Sequence, residues 1–137
     1  MAFSVRPIEY FYVDTRDSTG AAYHVLSAFA DRGVDLLAFT AVPSGPERAQ
    51  FALFPRDPAK FMAEARLAQI PAEGPHHALL VSGDDELGRL AGIHERLFEA
   101  GVDVYAATGV SDGRGSFGYV VYVREDQFGQ ALRALEL

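Results

Sequence analysis

The feature that most constrains this 137-residue chain is that much of it is written twice. DRGVDLLAFTAV, Asp31 to Val42, returns as EAGVDVYAATGV, Glu99 to Val110, and the same offset of 68 aligns Asp17 with Asp85, Gly20 with Gly88 and Arg56 with Arg124 without a gap. Between Glu9 to Lys60 and His77 to Phe128, 11 of 52 positions are identical, where unrelated chains of such composition would share about three or four. Two copies cannot form a solenoid, which needs at least about three units to bury a continuous core. The chain must fold as a pair of like units, each completing what the other leaves open.

Within one copy the periodicity gives the elements. Ile8 to Asp14 (IEYFYVD) is short and rich in aromatic and β-branched residues, as a strand is. In the DSTG that follows, Asp17 is placed to cap a helix whose apolar residues Ala22, Val25, Leu26 and Phe29 recur at helical spacing, and Gly33 stops it. VDLLAFTAV, the turn PSGPE and Ala49 to Phe54 read as a hairpin, and Asp57-Pro58 opens a second helix with a stripe at Phe61, Ala65 and Ala68. The second copy repeats this order: a strand at Ala78 to Ser82, a helix from about Glu86 to Ala100 striped by Leu90, Ile93 and Leu97, a hairpin from Val102 to Val123, and a last helix from about Asp126. IPAEGP, with two prolines and a glycine, is the linker, dividing the chain into units 1–72 and 73–137. Alternating strands and helices with one hairpin per copy predict an α+β fold of two ferredoxin-like, split β-α-β units, each an antiparallel sheet with its helices on one face.

In both copies D-x-x-G opens the first helix, which ends in a G-V-[DN]-[IVL] run that begins the next strand, at Asp17 to Gly20 with Gly33 to Leu36, and at Asp85 to Gly88 with Gly101 to Val104. That order, spacing and duplication resemble a tandem ACT domain protein. The proline usual before the first glycine is replaced by Thr19 and Leu87, and the fourth strand usual after the second helix has little room in the linker and none at the C-terminus. The resemblance implies a sensor of a small amino-acid-like molecule, bound where ACT units meet, and no catalysis. Carried over by motif position, its binding surface falls on Asp17, Thr19, Gly20 and Asp35, and on Asp85, Leu87, Gly88 and Asp103. A physical reason supports the same place, since a helix N-terminus offers unpaired N–H groups to a carboxylate and a glycine lets a ligand approach the backbone. Nearby aspartates suit an ammonium; equally, Asp17 and Asp85 can be caps and nothing more.

The copies also differ. His94 stands where the first copy has Leu26, Tyr105 where it has Leu37 and Ala107 where it has Phe39, so the second copy is roomier and more polar and His94 and Tyr105 join the candidate ligand contacts. A buried histidine held by one hydrogen bond explains His94 as well. His76 and His77, adjacent on a strand, point to opposite faces and make a poor metal pair. SDGRGSFG, Ser111 to Gly118, lies between two strands and lacks the GK[ST] of a phosphate loop, so it reads as a hairpin turn.

Composition narrows the function. Nineteen acidic against 12 basic side chains, with the basic ones scattered, argue against nucleic acid and anionic membrane as partners. The absence of cysteine removes disulfides and thiol chemistry and suits a cytoplasmic protein, and the start MAFSVRPIEYF is no signal peptide. No cofactor or metal is implied, and no nucleophile motif suggests an enzyme. Apolar side chains on both faces of the strands require a second layer, which predicts intramolecular pairing of the units and a homodimer. The expected function is a stand-alone regulatory protein that binds an amino-acid-like ligand between units or subunits; the alternative is an interaction module that homodimerises through its sheets without a ligand.

Overall fold

The computed structural model describes residues 3–136. In chain order the elements are β1 (Phe3–Arg16), α1 (Ala21–Ala30), β2 (Leu36–Pro43), β3 (Arg48–Pro55), α2 (Pro58–Ala68), β4 (Glu73–Asp84), α3 (Arg89–Glu99), β5 (Val104–Ser111), β6 (Ser116–Val123) and α4 (Phe128–Leu135), the last preceded by a single 3-10 turn at Glu125–Gln127. This is the α+β class with antiparallel hairpins that the periodicity predicts, and α1 packs beside α2 as α3 packs beside α4. No helix among the described residues is long and apolar enough to cross a membrane.

By packing, the chain divides into a first unit, Glu9–His76, and a second unit made of the described residues up to Ile8 together with those from His77 onward. This division differs from the sequence-based units at its ends, because β1 and β4 are long enough to serve both units. In the first unit the strands run in the order β2-β3-β1-β4, with the start of β4 drawn from the segment that reads as a linker. In the second the order is β1-β4-β6-β5, with Phe3–Ile8 supplying its share of β1. Each unit therefore has four strands, and the fourth strand of the second comes from the chain start. Ser4 fixes that strand, its hydroxyl lying 3.3 Å from that of Ser82 on β4.

The reasons for the elements are local. Asp57 caps α2, its carboxylate accepting from the Lys60 N–H at 3.2 Å, with Pro58 at the first helical position. Gly33 and Gly101 end α1 and α3 with positive φ, and the N–H groups of Val34 and Val102 return to the carbonyls of Phe29 and Leu97. Both edge strands carry a register shift at the same repeat position, Leu36 to Ala38 and Val104 to Ala106.

The core of the first unit is aromatic. Phe61 of α2 is fully buried between Phe11 and Phe29, with 4.6 Å between ring centroids on either side. The second unit packs Ile93, Leu97, Ala131 and Leu135 from its helices onto Leu79, Val81, Tyr119 and Val121, with Phe3 and Val5 closing the edge. On the strand faces turned away from these helices, Tyr10, Ala52 and Phe54 of the first unit and Ala78 of the second are also buried. Leu90, expected in the α3 stripe, instead stands at the surface.

Candidate functional site: two equivalent grooves

Each unit carries a groove built from three pieces: the loop after its first strand, the first turn of its first helix, and the end of its edge hairpin. In the second unit these are Asp85 to Gly88, Arg89 to Ala91, and Gly109 to Ser111 with Phe117 and Gly118, enclosing about 540 Å³. In the first they are Asp17, Ser18 and Gly20, Ala21 to Tyr23, and Ala41 to Pro43 with Ala49 and Phe51, enclosing about 340 Å³. Subtracting 68 maps ten of the 12 residues lining the larger groove onto residues lining the smaller. The repeat written in the sequence is thus a repeat of concavities.

The helices begin at these grooves without a side-chain cap. The residue before α1 is Gly20 and the residue before α3 is Gly88, with φ of 88° and 82°, a left-handed conformation that costs other residues dearly. Asp17 and Asp85 do not cap, contrary to the sequence expectation. Their backbones are drawn toward the hairpin instead, the Asp17 N–H donating to the Glu47 carbonyl at 2.8 Å and the Asp85 N–H to the Gly115 carbonyl at 2.9 Å. Ser111 then donates its hydroxyl to the Asp85 carboxylate at 2.8 Å. In α3 the Arg89 N–H turns back to the Glu86 carbonyl and the Gly92 N–H to that of Gly88, so the first-turn N–H groups of Leu90 and Ala91 are the ones no intrahelical carbonyl can reach. Both residues line the groove.

The charges at the rim lie close to one another, but the Arg89 Nη2 is buried without a hydrogen-bond partner. The Arg89 guanidinium, 17% exposed, lies 2.9 Å from the Glu86 carboxylate, and its Nε donates to the Asp84 carbonyl at 3.2 Å. Against Leu87, Leu90, Val110 and Phe117 the remaining wall is apolar.

Of the residues marked from the sequence, Asp17 and Gly20 line one groove and Asp85, Leu87 and Gly88 the other, while Thr19 lies exposed in the loop of the first. Asp35 and Asp103 sit at the opposite ends of their strands from the groove. Asp35 pairs with Arg56 at 2.8 Å, and the Asp103 N–H donates to the Gln127 side chain at 2.9 Å. His94 shares a hydrogen bond with the Tyr119 hydroxyl, in the manner of a satisfied, half-buried histidine. Tyr105 is 60% exposed, with its ring near Tyr122. His76 and His77 do turn to different partners, Glu73 and Glu125. Sequence reasoning missed Ser111, Val110 and Phe117; the signal was present in the register, where Ser111 replaces Pro43 and Phe117 replaces Ala49.

Two four-stranded α+β units, each with a D-x-x-G loop opening an uncapped helix beside an edge hairpin, define the class as a protein built of two units of ferredoxin-like fold. The solved structures to which the chain is similar agree with that class. They include a Bacteroides thetaiotaomicron protein, at 13% identity over 96% of this chain and 88% of that one, with a TM-score of 0.80. The regulatory subunit of aspartate kinase from Thermus thermophilus matches at 20% identity, covering 98% of this chain and 94% of that one, with a TM-score of 0.65. The corresponding Thermus flavus subunit matches at 18% identity over 98% and 94% of the two chains, also with a TM-score of 0.65. At such identities the likeness speaks for the fold. No protein-family model matches the sequence, and no curated protein matches it.

Proposed function

We propose that this chain is a cytoplasmic, non-catalytic regulatory protein that binds a small amino-acid-like molecule at a groove beside a helix N-terminus, and that the bound state alters its assembly or a partner. The observation that carries the reading is the uncapped start of α3 inside a groove: two N–H groups, at Leu90 and Ala91, without an intrahelical acceptor, next to an aspartate oriented by Ser111. Backbone N–H groups and the helix dipole favour a carboxylate, and a carboxylate such as Asp85, which keeps lone pairs free after accepting one hydroxyl, favours an ammonium. An α-amino acid carries both groups on one carbon. The regulatory role named for the Thermus subunits supports the same reading. Ligand acts by population shift, stabilising whichever arrangement of the units or subunits completes its contacts.

A thermal-shift screen of the common amino acids, followed by calorimetry on each hit, tests this. Asp85→Ala should abolish binding while leaving the fold intact, because Asp85 caps no helix. A folded sample that binds no amino acid would instead favour the interaction module, whose homodimer would form through the sheets without ligand.

A further inference from the structure

The two grooves share a plan but not a lining, and we infer that only the groove of the second unit binds ligand, and that the ligand is an amino acid with an apolar side chain. The inference rests on the functional reading above and goes further, to stoichiometry and ligand class.

The difference in capacity is a difference of residues. Where the second unit has Ala91, the first has Tyr23, a phenol at the wall of a groove of about 340 Å³ against about 540 Å³. Where the second has Ser111, whose hydroxyl holds the Asp85 carboxylate at 2.8 Å, the first has Pro43, which has no hydroxyl with which to orient Asp17. Where the second has Phe117, the first has Ala49, and its aromatic lining comes from Phe51 instead. The first groove therefore lacks the volume of the second and the hydrogen bond that orients its aspartate.

The class of ligand follows from what the second groove leaves available. Its charged side chains are Asp85, Glu86 and Arg89. Arg89 and Glu86 neutralise each other at 2.9 Å, and Asp85, anchored by Ser111, is the group that meets an ammonium. A positively charged ligand side chain would leave water for a wall of Leu87, Leu90, Val110 and Phe117, and a negatively charged one would add to a lining that already carries two carboxylates, Asp85 and Glu86, against Arg89. An aliphatic or aromatic side chain meets the same wall favourably, since apolar surface removed from water stabilises the complex in proportion to its area.

Isothermal titration of the full chain with leucine, isoleucine, methionine and phenylalanine, against lysine, arginine, aspartate and glutamate, tests both parts. The expected result is one site per chain, with at least one apolar amino acid bound about tenfold or more tightly than any charged one. Ala91→Tyr, which copies the first groove's side chain into the second, should remove all binding. Val110→Trp, at an exposed position of β5, is a second block of the same groove and should do the same; far-ultraviolet circular dichroism establishes that each variant is folded. Two sites per chain, residual binding in both folded variants, or a preference for a charged amino acid overturns this inference while leaving the sensor reading standing. No binding by any of the eight probes overturns this inference, and no binding by any of the common amino acids overturns the sensor reading as well.

Discussion

Gly88 shows how a single residue ties backbone to function. Its φ of 82° lets the chain turn into α3 without a side chain over the first-turn N–H groups. Gly88→Ala, at a position with open space around the missing Cβ, should destabilise the protein by about 1 kcal/mol through backbone strain alone, read from urea unfolding. Phe61→Ala should cost about 3–5 kcal/mol, because it empties a fully buried site between two stacked rings. Tyr119 gives a pH dependence. Burial raises its phenol above the ordinary value of 10.0, so the neutral form is favoured in the fold. Below that value both folded and unfolded chains keep the proton; as pH climbs past it the unfolded chain ionises first, so stability declines until the folded phenol ionises too. Tyr119→Phe should flatten that decline in urea titrations carried above about pH 10, and it also removes the hydrogen bond to His94. The sequence made His94 visible as a polar residue on an apolar stripe but could not name its partner, which lies 25 residues away on β6.

Among the elements, the helices and hairpins were legible because their signals are local: apolar spacing, a capping Asp-Pro pair, glycines at helix ends. The fourth strands were not. Glu73 to Pro75 carries the glycine and proline that mark a loop, and Phe3 to Ile8 lies before the repeat begins, so neither has a periodic or duplicated signal. Both are strands because a three-stranded sheet would leave a row of unpaired backbone groups beside it. The N-terminal segment is accordingly integral to the second unit, where Val5 packs against the core of Leu79 and Val81. Val5→Asp should destabilise the protein by about 2 kcal/mol or more. Hydrogen exchange should show protection lost from β4 beyond His77 before it is lost from β2 and β3. The same competition between local and distant bonding explains the aspartates. D-x-x-G reads as a cap, yet Asp17 and Asp85 are taken by the hairpin loops at Glu47 and Gly115.

For the molecule as a whole, binding to the folded state alone must raise stability by mass action. An amino acid at 100 times its dissociation constant should add about 2.7 kcal/mol, and the melting temperature should go on rising with ligand concentration after the site is saturated. The sequence by itself determined that there are two like units, which class of fold they adopt, and that the loops opening with Asp17 and Asp85 belong to the candidate site, because duplication, periodicity and turn chemistry are carried by neighbouring residues. Only the tertiary structure decided that the chain start completes the second unit, that the aspartates orient toward hairpins rather than cap helices, and that Asp35, Asp103 and Tyr105 stand apart from the grooves. The physical reason is distance along the chain. A strand's fourth neighbour, a hydroxyl 26 residues from its carboxylate and the volume left between helix and hairpin are set by hydrogen bonds and packing between distant segments, which no local pattern encodes.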